Sequence, residues 1–163
     1  MPKMSRKAFV ALAVAALAAG TATAQPVLDS RAEEVIEAAF QQQVGFWLTE
    51  DARRASTVIC LAIEQAGESH SVTSDYLKRF RGRPELRRGA ECEARKNGAV
   101  ERATGQPAIL LTVGGISWIT PDEAWVNVRH YRSQLSSGAQ PFRVVRELAR
   151  WVCLGPILLM PTA

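Results

Sequence analysis

The sequence predicts an α+β fold, with N-terminal helices packed on an antiparallel sheet that ends in a three- or four-stranded meander. Three observations carry that expectation. Asp29-Ser30 followed by Glu33 reads as a capping box, and Val35, Ile36, Ala39, Phe40 and Val44 then recur at helical spacing. Ala124, Val126 and Val128 alternate with Trp125, Asn127 and Arg129, as in a half-buried strand. Short turn signals then divide the last third of the chain into successive strand-like segments.

Taken in order, the first residues carry Lys3, Arg6 and Lys7 and no acid, and an apolar run follows from Ala8 to Ala19. Gly20 breaks the run and Ala22-Thr23-Ala24 offers the small-x-small pattern of a cleavage site, so residues 1–24 read as a signal peptide. Residues 25–163 are then expected to form one α+β domain. The amphipathic helix spans about 30–44, with Gly45 as its stop and Gln41-Gln42-Gln43 on its solvated side. Thr57 to Ile63 is a continuous apolar run rich in β-branched residues, read as a buried strand, and Gly67 to Ser71 as a loop. Thr73-Ser74-Asp75 caps a short helix through Tyr76, Leu77 and Phe80 that ends near Gly82. Pro107 to Trp118 reads as a strand with Gly114-Gly115 as a bulge. Thr120 to Glu123 is a turn, Ser136-Ser137-Gly138 another, and Pro141–Leu148 and Arg150–Leu154 are the closing strands.

Charge and cysteine content narrow the function classes. Three of the 20 basic residues and none of the 16 acidic ones lie in residues 1–24, so the remainder carries 17 and 16. That near-neutral balance argues against a nucleic-acid partner, and no apolar run after the signal reaches membrane-spanning length. The three cysteines, Cys60, Cys92 and Cys153, allow one intramolecular bridge and leave one thiol over. Cys92 stands in a polar stretch, where an unpaired thiol has no packing role. The preferred bridge is therefore Cys60–Cys92, with Cys153 free among apolar neighbours. Cys153 remains the competing partner, because Trp151-Val152-Cys153 could lie as a strand beside residues 57–63.

Chemistry-bearing patterns are few. The two histidines, His70 and His130, lack metal-ligand spacing, and no metal, nucleophile-elbow or phosphate-loop motif occurs. No catalytic residue, metal or cofactor is assigned. Arg79, Arg81, Arg83, Arg87 and Arg88 form a candidate anion-binding surface, weighed against an ordinary solvated charge run.

The closing text, Ala124-Trp125-Val126-Asn127-Val128, Ser137-Gly138, Phe142 to Glu147 and Trp151-Val152, resembles the end of NTF2-like (cystatin-like cone) proteins. Cys60-Leu61-Ala62 and Glu91-Cys92 are similar to pairs found in small exported bacterial proteins. The resemblance implies a curved sheet wrapping the N-terminal helix, with His130, Tyr131 and Glu123 as possible pocket residues. The superfamily holds isomerases and dehydratases as well as non-enzymatic binding domains, so fold alone does not choose among them. The leading reading is a periplasmic or secreted binding or interaction domain without catalysis, its partner a protein or a small ligand. The alternatives are an enzyme acting on a small organic molecule in a cone-shaped pocket, and an envelope-surface protein that holds anionic lipid or polyanion through the basic loop.

Export gives the first prediction. The mature chain begins at Gln25, and the intact mass of protein recovered from the envelope or medium checks it. A mass that retains residues 1–24 contradicts it.

Overall fold

The computed structural model describes residues 28–51 and 58–157. The expected signal segment lies outside the described residues. A long helix, α1 (Ser30–Asp51), is followed by the hairpin of β1 (Val58–Gln65) and β2 (Glu68–Ser71). A single helical turn, α2 (Ser74–Leu77), leads to the short β3 (Leu86–Arg88). A 3-10 turn at Gly89–Glu91 then enters a small ribbon of β4 (Cys92–Arg95) and β5 (Gly98–Glu101). Four strands close the chain: β6 (Ala108–Thr120), β7 (Glu123–Ser133), β8 (Ser136–Glu147) and β9 (Arg150–Pro156).

The expected α+β class and closing meander are present: β6, β7, β8 and β9 pair in sequence, each antiparallel to the last. The main sheet runs β2-β1-β6-β7-β8-β9, and β3 also pairs with β1. It is mostly antiparallel. The exceptions both involve β1, which lies parallel to β6 from Val58↔Ala108 to Glu64↔Gly114 and parallel to the short β3.

The apolar run of β1 is explained by what covers it. Ile59, Leu61 and Ile63 face α1 in the main core, with Ile109, Leu111, Val113, Val126, Val128, Phe142 and Val144 of the other strands. Val35, Ile36, Phe40 and Val44 of α1 fill the space above them, all essentially inaccessible. On the opposite face Val58 and Cys60 pack with Ala108 under the β4–β5 ribbon, against Cys92 and Ala99. A strand covered on both sides has no polar alternation to show.

The ribbon is held by a Cys60–Cys92 disulfide, so the preferred pairing is the observed one, and Cys153 is the free, half-buried thiol. The bridge joins residues 32 apart in sequence. Closing a loop of that size in the unfolded chain is worth roughly 3–4 kcal/mol on the chain-entropy account. Cys92 is not in a polar loop but buried on β4, because the bridge pulls the strand onto the sheet.

Several boundaries differ from expectation. Helix α1 runs through Gly45 to Asp51, since Trp47 still finds the core and one glycine costs a helix only about 1 kcal/mol. At its start Asp29 Oδ1 accepts from the Ala32 amide at 2.7 Å, but the Glu33 carboxylate turns to Arg79 rather than closing a reciprocal box. Gln43 is buried, not solvated. The segment expected as a loop at Gly67 to Ser71 is mostly strand β2, entered by a turn in which Ala66 and Gly67 have φ of 52° and 82°. Strand β8 begins at Ser136, so Ser136-Ser137-Gly138 is paired, and the turn falls at residues 134–135. Thr73 Oγ1 caps α2 by accepting from the Tyr76 amide, as expected, but the helix stops at Leu77. Gly114-Gly115 does open a bulge, visible as a register shift between Gly114 and Ser117.

Two glycines make opposite predictions. A Cβ at Gly45 would meet nothing within 4 Å, so Gly45→Ala raises stability by about 0.5–1 kcal/mol. A Cβ at Gly114 would collide with the backbone carbonyl of Glu64, because β1 and β6 approach closely there, so Gly114→Ala loses about 2 kcal/mol or more. Urea unfolding of both variants measures the two shifts.

Candidate functional site

Small recesses flank α1, but the two roomier ones lie on the outer face of the sheet, opposite α1. The β4–β5 ribbon lies across β1, β6 and the end of β7. It is anchored to the sheet by the disulfide, and its open end is closed by Arg102, whose amide donates to the Glu91 carbonyl at 2.8 Å and whose Nε donates to the Cys92 carbonyl at 3.2 Å. A recess opens on either side of this bridge. One, of about 630 Å³, has the disulfide at its floor and Ser71, Gly89, Arg102 and Thr112 around it. The other, of about 520 Å³, lies between the 95–98 turn of the ribbon and the end of β7. Both sizes fall within the roughly 300–1,000 Å³ of small-molecule sites.

The polar groups beneath the ribbon are matched. Glu101 is buried, accepts from Arg87 Nε at 2.6 Å and also takes the Thr104 hydroxyl. The Thr104 and Arg87 hydrogen bonds hold its carboxyl below the usual range. Glu93 is shared between Arg95 at 2.6 Å and Arg102 at 2.8 Å.

The residues singled out by sequence are dispersed. His130 and Tyr131 are neighbours on β7 and so point to opposite faces. The His130 ring stands 5.1 Å from the Trp47 ring on the α1 side. It fills the space above Gly138, its cross-strand partner, where a Cβ would lie 2.9 Å from His130 Cε1. Tyr131 packs with the disulfide cluster on the outer face. Glu123 is at the far end of β7, where both its oxygens accept from Arg143 at 2.9 and 3.0 Å. The Arg143 bonds depress its pKa, which weakens it as a proton acceptor. These three residues therefore share no recess.

The basic stretch is also divided. Arg79 pairs with Glu33 and Glu37 of α1 at 2.7 and 3.2 Å, Arg87 with Glu101, and Arg88 with Glu91 at 3.3 Å. Arg81 and Arg83 are exposed. Neither has an ion-pair partner among the described residues. Arg31 sits 3.8 Å over the Trp118 ring and donates to the Thr120 and Pro121 carbonyls, so the Trp118–Trp151 pair holds a residue of the chain itself. Among the described residues no group of three His, Cys, Asp or Glu side chains could hold a metal ion, and no helix is long and apolar enough to cross a membrane.

The recess at the ribbon turn was legible only in part. Arg95 and Lys96 stand a few residues beyond the candidate basic surface, but Asn97-Gly98, a strong hairpin signal, is what folds them back over the sheet. Arg132, 34 positions beyond Gly98, is brought alongside by tertiary pairing alone.

His130 yields a pH prediction. Desolvation lowers its pKa from the ordinary 6.5, so the unfolded chain takes up the proton first. Stability then falls as the pH drops through about 6.5. The urea midpoint of the wild type decreases between about pH 7.5 and pH 5.5, and His130→Phe reduces that decrease. Equal decreases in the two proteins contradict the assignment.

Compared with protein-family models, curated protein sequences and solved structures, the chain finds no match.

Proposed function

We propose that this is an exported, non-catalytic binding domain that works in an oxidising compartment and takes its ligand on the outer face of the sheet, beside the β4–β5 ribbon. The observation that carries the reading is the Cys60–Cys92 bridge, which clamps the ribbon over the sheet and so forms the walls of both recesses. Disulfides persist outside the reducing cytosol, which agrees with the signal-peptide pattern of residues 1–24. The charged groups around the ribbon serve binding better than turnover: Glu101 and Glu93 are committed to arginine partners, and His130 packs on the other face. An NTF2-like relationship belongs to the same proposal. Its support is the packing of α1 on one face of the β6–β9 meander, together with the strand text quoted above.

Two measurements test this reading. Non-reducing peptide mapping of protein recovered after export finds Cys60 linked to Cys92 and a single free thiol at Cys153. Amide chemical-shift mapping against fractionated small molecules then places a footprint around residues 60–62, 89–102 and 107–112, and the bound molecule is returned chemically unchanged. Three free thiols, a footprint confined to the α1 face, or conversion of the bound molecule would each overturn it.

A further inference from the structure

Of the two recesses, the one at the ribbon turn has a lining that specifies a ligand class. Its rim carries Arg95, Lys96 and Arg132, and no acidic residue lines it. Its floor is apolar: Val100, Pro107 and the buried Ala99 and Ala108. The Val100↔Pro107 bridge ties the ribbon to the start of β6 and closes that floor.

The turn is seated in a fixed position. Gly98 has φ of +138°, a conformation that L side chains rarely adopt, and a Cβ there would lie 2.5 Å from the Arg132 carbonyl. Only glycine lets the ribbon approach β7 this closely, and that approach sets the cationic rim against the apolar floor. The neighbouring Glu93 does not cancel the rim, because one carboxylate is divided between Arg95 and Arg102. Lys96 is exposed at the tip, with no ion-pair partner among the described residues.

Resting on the binding-domain reading above, we infer that this recess binds a small amphipathic anion, with its carboxylate or phosphate head held at Lys96 and Arg95 on the ribbon turn and its short apolar body on Val100, Pro107 and Ala108. The guanidinium fork suits a planar or tetrahedral oxyanion. The apolar floor adds contact area that a free inorganic ion cannot use.

The test is a titration of the disulfide-bonded protein with octanoate and with octyl phosphate, followed by amide shifts and calorimetry. Both anions saturate and move the Gly98, Val100 and Ala108 amides. Octanol and inorganic phosphate, each lacking half of the ligand, bind at least about tenfold more weakly. Lys96→Glu weakens octanoate binding about fivefold to tenfold, and added salt weakens it further, whereas Arg83→Glu leaves it unchanged. The inference is overturned if octanoate and octyl phosphate give no saturable footprint at the turn. It is also overturned if Lys96→Glu has no effect, if Arg83→Glu has the same effect, or if only phosphatidylglycerol vesicles bind. A footprint from another class of molecule at either recess would discard the anion while leaving the binding-domain reading intact. The absence of any footprint beside the ribbon removes both.

Discussion

The structure depends on burying β1 from both sides. Its inward residues, Ile59, Leu61 and Ile63, meet α1, and its outward residues, Val58 and Cys60, meet the ribbon. It also pairs laterally with β2, β3 and β6. A central strand with both edges and both faces occupied leaves little freedom for its neighbours. The parallel register with β6 sets the start of the meander, and Gly114 allows the two strands to close up at Glu64. On the outer face the burial is completed by a covalent bond. The ribbon contributes only Cys92 and Ala99 as fully buried apolar residues, too few to hold it by packing alone. The disulfide supplies the missing stability.

The charge pattern follows from the same arrangement. Between Lys78 and Lys96 the sequence shows a basic run, but the chain folds it back on itself and onto α1, so that carboxylates pair with four of its six arginines, two of them reached from distant segments. Arg79 finds Glu33 and Glu37 more than forty positions away, and Arg87 finds Glu101 beneath the ribbon. What is left on the surface is a smaller cationic feature at the ribbon turn, next to apolar wall residues. That juxtaposition is the ground for the binding surface proposed above, where a uniformly basic loop would read only as a solvated one.

Local signals were legible where the physics is local. The helix beginning at Asp29, the Thr73 cap, the Gly114-Gly115 bulge and the four closing strands all rest on spacing or turn chemistry within a few residues. The Cys60–Cys92 pairing was also accessible, because a cysteine among charged residues needs a covalent reason to be there. The misses have tertiary causes. Gly45 did not end α1 because Trp47 packs into the core two residues later. The pairing of β1 with β6 joins segments 50 residues apart and leaves no periodic trace. His130, Tyr131 and Glu123 looked like a cluster in sequence, but strand alternation sends two of them to opposite faces and strand length carries the third away. Arg132 could not be placed at the ribbon turn without knowing the β5–β7 approach at Gly98.

If the ribbon is held chiefly by its covalent tie, and β1 by packing on both faces, the two should separate when the tie is cut. Hydrogen exchange followed by mass spectrometry on the oxidised and the reduced protein examines this directly. The account predicts that reduction makes the amides of residues 92–101 exchange first, while residues 59–63 and 109–113 remain the slowest in the chain. Unchanged protection of 92–101 after reduction, or loss of protection there and in the β6–β9 meander together, would contradict it.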